Sequence, residues 1–214
     1  MTNHKLIAPI AGSLAALTLV AYAGAAPANS GATPPSGDPN RGLPQGSEAV
    51  RLHPADFTTK IDNPYWPMSP GSKWVYDWYA QDKQGNIWYL GEAVRNYKHG
   101  KLVDRAGSFE AGVKGAQAGV AMPANPVPGL SYRQEYFQGV AEDKAAVITV
   151  GQEQVEVPFG YFNKNVLMTR DLVPTEPRVQ ELKFYAPGVG PLLSMHTDGT
   201  GGHAALISYT KGSP

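Results

Sequence analysis

Glu92 is the residue whose type and setting most invite chemistry in this chain. It ends the run Asn86-Ile87-Trp88-Tyr89-Leu90-Gly91-Glu92, which follows Trp74-Val75-Tyr76-Asp77-Trp78-Tyr79-Ala80-Gln81-Asp82 after a short turn. A carboxyl group thus falls among three of the four tryptophans of the chain. With Gly85 in the left-handed position of a three-residue hairpin loop, Trp88 faces Ala80, Leu90 faces Trp78, and Glu92 faces Tyr76. Side chains alternate along a strand, so Trp74, Tyr76, Trp78 and Trp88 share one side with Glu92, and Asp77, Tyr79 and Tyr89 take the other. Burying an unpartnered carboxylate is costly, so Glu92 must be paired, protonated or set in a wet cavity. It reads either as a pocket acid on an aromatic wall or as one end of a structural bond to Tyr76. A register that turns it outward is the remaining alternative.

Other groups offer chemistry of different kinds. Asp77, Asp82, Glu110, Glu135, Glu142 and Asp143 form a wider acidic set from which paired carboxylates for glycoside hydrolysis could be drawn. Arg133 is a ready partner for Glu135 on its own strand face, and most of the set is expected to be solvated. Glu110 joins the candidate ligand-binding set of Trp74, Tyr76, Trp78, Trp88 and Glu92. His196 and His203 flank Thr197-Asp198-Gly199-Thr200-Gly201-Gly202, and a hairpin there would set the two imidazoles opposite each other. Two histidines at a spacing that matches no metal motif make a thin ligand set, so neither a metal nor another cofactor is expected. Nucleophile motifs are lacking: Gly-x-Ser-x-Gly does not occur and cysteine is absent.

These residues need strands to position them. Aromatic and β-branched runs separated by Gly, Pro, Asn and Asp recur from Trp74 to Tyr209, and outside the first residues none shows a sustained helical period. The pattern predicts a mainly β domain: an antiparallel meander curved into a half-barrel, barrel or sandwich, with long Gly/Pro-rich loops. Prolines 64, 67 and 70 exclude a helix or central strand just before the aromatic hairpin, while Phe57, Ile61, Tyr65 and Trp66 argue for burial there. An irregular flap over one end of the sheet satisfies both. Gly107 to Pro128, rich in Gly, Ala and Pro, is expected to form loops with short strands, the loops acting as a lid.

The ends are of another kind. Lys5, the apolar run from Leu6 to Val20, and Ala21-Tyr22-Ala23 together form a secretory signal with an A-x-A cleavage site, assigned to residues 1–23. Residues 24–52 are poor in large aliphatic side chains and are expected to be a disordered linker, leaving 53–211 as a single β domain. Eighteen basic and eighteen acidic residues cancel, so no nucleic-acid partner is expected. No membrane span is expected once the signal is removed, and the absence of cysteine leaves no disulfide framework for an extracytoplasmic protein.

Two segments, Asp77 to Glu92 and Glu181-Leu182-Lys183-Phe184-Tyr185-Ala186-Pro187-Gly188-Val189-Gly190-Pro191-Leu192-Leu193, resemble a family of exported bacterial proteins known by sequence rather than by activity. That resemblance covers roughly Phe57 to Tyr209. The second segment is also similar to strands of the secreted β half-barrels that include the LolA-like lipoprotein carriers. This likeness implies a concave sheet able to hold an apolar ligand and carries over no functional residue. The reading that follows is a non-catalytic exported module, periplasmic or secreted, binding a small apolar or amphipathic ligand on a concave aromatic face. A glycan hydrolase using paired carboxylates and a ligand-free structural protein of the envelope are the alternatives.

Overall fold

Among the described residues, most of the aromatic and β-branched runs become strands separated by turns. The computed structural model describes residues 42–67, 77–99, 101–199 and 202–210. A 3-10 turn at Pro54–Asp56 leads into β1 (Phe57–Thr58). The aromatic hairpin is β2 (Asp77–Asp82) and β3 (Ile87–Glu92). Next come β4 (Asn96–Lys98), β5 (Lys101–Asp104), β6 (Phe109–Glu110), β7 (Gln117–Met122), β8 (Ser131–Arg133) and β9 (Glu135–Tyr136). The second half holds β10 (Lys144–Val150), β11 (Val155–Val157), β12 (Gly160–Phe162), β13 (Leu167–Leu172), β14 (Gln180–Ala186), β15 (Gly190–His196) and β16 (His203–Ala205). The expected signal sequence, the expected linker up to residue 41, and Trp74 and Tyr76 lie outside the described residues.

The first sheet runs β1-β2-β3-β7-β9, with β6 also on β3; the second runs β16-β15-β14-β13-β10-β8. Pairs β4-β5 and β11-β12 stand as separate hairpins. Every pairing is antiparallel and neither sheet closes into a barrel among the described residues. One core joins the sheets in the manner of a sandwich. Ile87, Trp88, Val120 and Met122 come from the first sheet, and Tyr132, Val147, Leu167 and Tyr185 from the second. The mainly β, antiparallel architecture is the one the strand rhythm predicts.

The chain passes from one sheet to the other between β8 and β9, at Gln134. Gly119 of β7 lies against this crossing, where a Cβ would come within 2.0 Å of the Gln134 carbonyl oxygen. Only glycine fits so close a backbone approach. The same strand corrects the expected lid. Residues 118–122 are buried between β3 and β9, so about a quarter of the Gly107–Pro128 stretch is central strand and cannot open.

The linker is corrected for residues 42–52. Arg133, almost fully buried, donates through Nη1 to the Gly46 and Glu48 carbonyls at 2.5 and 2.8 Å, and through Nη2 to the Ala118 carbonyl at 2.6 Å. Its backbone N–H donates to the Pro44 carbonyl at 2.6 Å, and Val50 N–H donates to the Gln117 side chain at 3.2 Å. Leu43, Val50 and Leu52 pack against the core. Composition argued for disorder because few side chains here are apolar; the segment is held by its backbone carbonyls, which composition does not register.

Candidate functional site

The turn of the aromatic hairpin forms as its residues require. Gly85 adopts φ +97°, and Asp82 accepts hydrogen bonds from the backbone N–H groups of Gln84 and Asn86, both at 2.9 Å. The pairs Tyr79–Tyr89, Ala80–Trp88 and Gln81–Ile87 then stand opposite each other, in the expected register. Beyond them the register slips. Trp78 pairs with Gly91 and Asp77 with Glu92, leaving Leu90 as an extra residue on β3. This β-bulge moves Glu92 from its expected place opposite Tyr76 to a position opposite Asp77, on the side of Tyr79 and Tyr89. Gly91 permits it, since a Cβ there would lie 2.5 Å from the Phe109 carbonyl oxygen of β6.

The candidate ligand residues are therefore divided. Trp88 is buried, and its indole N–H donates to Asp82 at 2.8 Å, so it is a satisfied core residue. Trp78, on the same side of β2 as Ala80, is 48% exposed. Glu110 is exposed on β6 opposite Gly91. The Trp88 side is covered by Val50, Leu52 and Phe57, around a cavity of about 420 Å³ that Asp82 and Lys83 also border. With its indole already bonded and charged groups at its edge, this space offers an apolar molecule little.

The other side of the hairpin opens on the second sheet. Tyr79 and Tyr89 stack at 4.9 Å, Trp66 sits 5.3 Å from Tyr79 and 6.0 Å from Tyr185, and Phe109 meets Tyr89 edge-on at 5.3 Å. Trp66 is brought there by the flap. Asn63 and the buried Gln81 bind its backbone, Asn63 Oδ1 accepting from the Tyr65 and Trp66 N–H groups at 2.9 and 3.1 Å. Between the sheets lies a cavity of about 340 Å³ lined by Trp66, Tyr79, Tyr89, Lys183, Tyr185 and Leu192 among others. Its described lining includes none of Trp78, Trp88, Glu92 or Glu110.

The electrostatics of the cavity come mostly from β13 and β14. Thr169 faces Lys183, Lys183 faces Ser194, and Asp171 faces Glu181, so alternation brings them to one side of the sheet. Lys183 Nζ lies 2.6 Å from Asp171 and 3.3 Å from Glu181, while Ser194 donates its hydroxyl to Glu181. Burial works against the charge on Lys183, but the Asp171 carboxylate, with Glu181 behind it, holds the ammonium pKa well above its usual range. Burial likewise pushes the phenols of Tyr79, Tyr89 and Tyr185 up, so they remain hydrogen-bond donors at all ordinary pH. Tyr89 donates to Asp77 at 3.1 Å. Burial raises the Asp77 carboxyl pKa against the pull of that bond.

The two histidines are not opposite each other. His203 faces Met195, which puts it on the reverse side of the sheet from His196. Among the described residues no group of three His, Asp or Glu side chains is placed to hold a metal ion.

Sequence reasoning missed Trp66, Tyr79, Tyr89, Lys183 and Tyr185 as a set. The alternation Glu181, Lys183, Tyr185 was a signal, since a strand that places a lysine between an acid and a tyrosine on one face has a polar interior to satisfy. Comparison with known proteins finds no family model, no curated protein and no solved structure that matches this chain, so the functional reading rests on its residues alone.

Proposed function

We propose that this chain is an exported, non-catalytic binding module holding a small apolar or amphipathic ligand between its two sheets. The observation that supports this reading is the cavity of about 340 Å³ walled by Trp66, Tyr79, Tyr89 and Tyr185, with Lys183 as its charged group. Its volume and makeup, mostly aromatic and aliphatic with few polar groups, are those of small-molecule sites. The ligand lays its apolar body along the ring faces and points its polar end toward Lys183. That end is uncharged, because a cation would meet the Lys183 ammonium and an anion would meet the carboxylates of Asp171 and Glu181 bound to it.

The test is capture of the neutral fluorescent probe N-phenyl-naphthylamine, together with mass spectrometry of an organic extract of the purified protein. Ala204 is exposed at the cavity rim, so Ala204→Trp should fill the opening without disturbing the core. Probe capture should fall at least tenfold in that variant while its melting temperature is unchanged. Equal capture by both proteins, with nothing in the extract, overturns the reading.

One observation favours carbohydrate hydrolysis as a second reading. Asp77 and Glu92 stand opposite each other beside Tyr89, and the Asp77 carboxyl has a raised pKa, as a general acid requires. Release of reducing sugar from envelope glycans, abolished by Asp77→Asn, would establish it. Asp171 and Glu181 do not offer a second pair, since both are already bound to Lys183.

A further inference from the structure

The β4–β5 hairpin belongs to neither large sheet. Tyr97 is 59% exposed, Leu102 46% and Val103 55%, in one short two-stranded element. Tyr97 faces Leu102, so these two share a side, and Lys98 faces Lys101 on the other. Val103 is the extra residue of a bulge between the pairs Asn96–Asp104 and Tyr97–Leu102. From Arg95 to Arg105 the sequence carries four basic residues, Arg95, Lys98, Lys101 and Arg105, against one acid, in a chain whose overall charge is zero. The acid, Asp104, is occupied locally, accepting from the Asn96 side chain at 2.5 Å and from the Ala106 N–H at 3.0 Å. All four basic residues are exposed.

Exposed apolar side chains next to concentrated positive charge are what a membrane surface of anionic phospholipid recognises. Tyrosine is suited to the interface, Leu and Val reach the acyl boundary, and lysine stems are long enough to return their charge to the headgroups. An acidic protein would be served by the cations alone and would leave Leu102 and Val103 without a role. We infer that the β4–β5 hairpin docks this protein on anionic phospholipid surfaces, with Tyr97, Leu102 and Val103 entering the interface and Lys98, Lys101 and the flanking arginines contacting headgroups. This surface stands apart from the cavity between the sheets, and the inference holds whether or not that cavity binds a ligand.

The chain contains no cysteine, so a single introduced thiol can be labelled cleanly. Leu102→Cys carrying an environment-sensitive dye is titrated with vesicles of phosphatidylglycerol and, separately, of phosphatidylcholine. Glu176→Cys, at another exposed position, is the control. The Leu102 label should brighten with phosphatidylglycerol and not with phosphatidylcholine, and the control label should do neither. Adding Lys98→Gln and Lys101→Gln should weaken the response about 25-fold, roughly fivefold for each cation lost near an anionic surface. Salt at about 0.5 M should weaken it too, as the screening length shortens. A dark Leu102 label, equal brightening with both lipids, or a response untouched by the lysine changes overturns the inference. Brightening with a soluble acidic protein in place of vesicles overturns it as well.

Discussion

The two sides of the β2–β3 hairpin are both aromatic and both border a cavity, yet one cavity is edged by charged groups and the other is walled mostly by aromatic and aliphatic side chains. On the first, the Trp88 indole is bonded to Asp82, and Val50, Leu52 and Phe57 cover it. On the second, Tyr79 and Tyr89 stack beside a cavity and face a lysine held by two acids. The difference lies less in the hairpin than in what each side meets. The polypeptide segment covering the first side brings Arg51 and Asp56 with it, so the space left there is edged by their charges as well as by Asp82 and Lys83. A second sheet has regular spacing and a fixed twist, and rings that do not interlock with it leave space between. A binding cavity between sheets is thus what remains where two rigid surfaces stay incompletely matched.

The largest effect that would break this contrast comes from the Trp88 side. Trp88→Ala should cost about 3–5 kcal/mol, the usual loss on emptying a buried aromatic site. Urea unfolding would measure it, and a cost near that of a surface change would mean Trp88 is no part of the core. Next is the clamp over that side. Arg133→Met should cost about 3 kcal/mol, because the carbonyls of Gly46, Glu48 and Ala118 lose a charged donor. It should also loosen residues 42–52, seen as faster proteolysis there; an unchanged cleavage pattern would show that Arg133 does not hold the segment.

On the tyrosine side the expected effects are smaller. Tyr89→Phe removes one hydrogen bond to Asp77 and should cost about 1 kcal/mol while weakening probe capture. A loss as large as that of Trp88→Ala would make the two sides equivalent and the contrast false. The smallest effect is a pH dependence. Because Asp77 has a raised pKa in the folded state, folding favours its protonated form. Its contribution is fully present below the unfolded pKa, roughly 3.9. It is lost as the pH rises to and through the folded pKa. Asp77→Asn, which never ionises, should therefore gain in melting temperature relative to the parent chain between about pH 3 and pH 7. A difference that stays constant over that range would show that Asp77 is solvated.

How much of this was legible follows distance along the chain. Asp82, Gly85 and Asn86 lie within one turn, and their geometry is set by local sterics and by a side chain bonding its own neighbours. The turn, the register of Tyr79 against Tyr89, and the antiparallel strand rhythm could therefore be read directly. The bulge at Leu90 could not, because it answers to the Phe109 carbonyl arriving over Gly91 from β6. That single slip carried Glu92 across to the tyrosine side, away from Trp78 and Trp88.

The amino-acid sequence alone determined that this chain makes antiparallel strands, where they turn, and that their aromatic hairpin carries large rings on both sides. Alternation and turn chemistry act between neighbours and need no knowledge of the rest. Only the tertiary structure decided which side would be closed by residues 42–57 and which would face Lys183 and Tyr185. Those partners are dozens of residues away, and their choice depends on how backbone carbonyls, a buried arginine and a second sheet could all be satisfied at once.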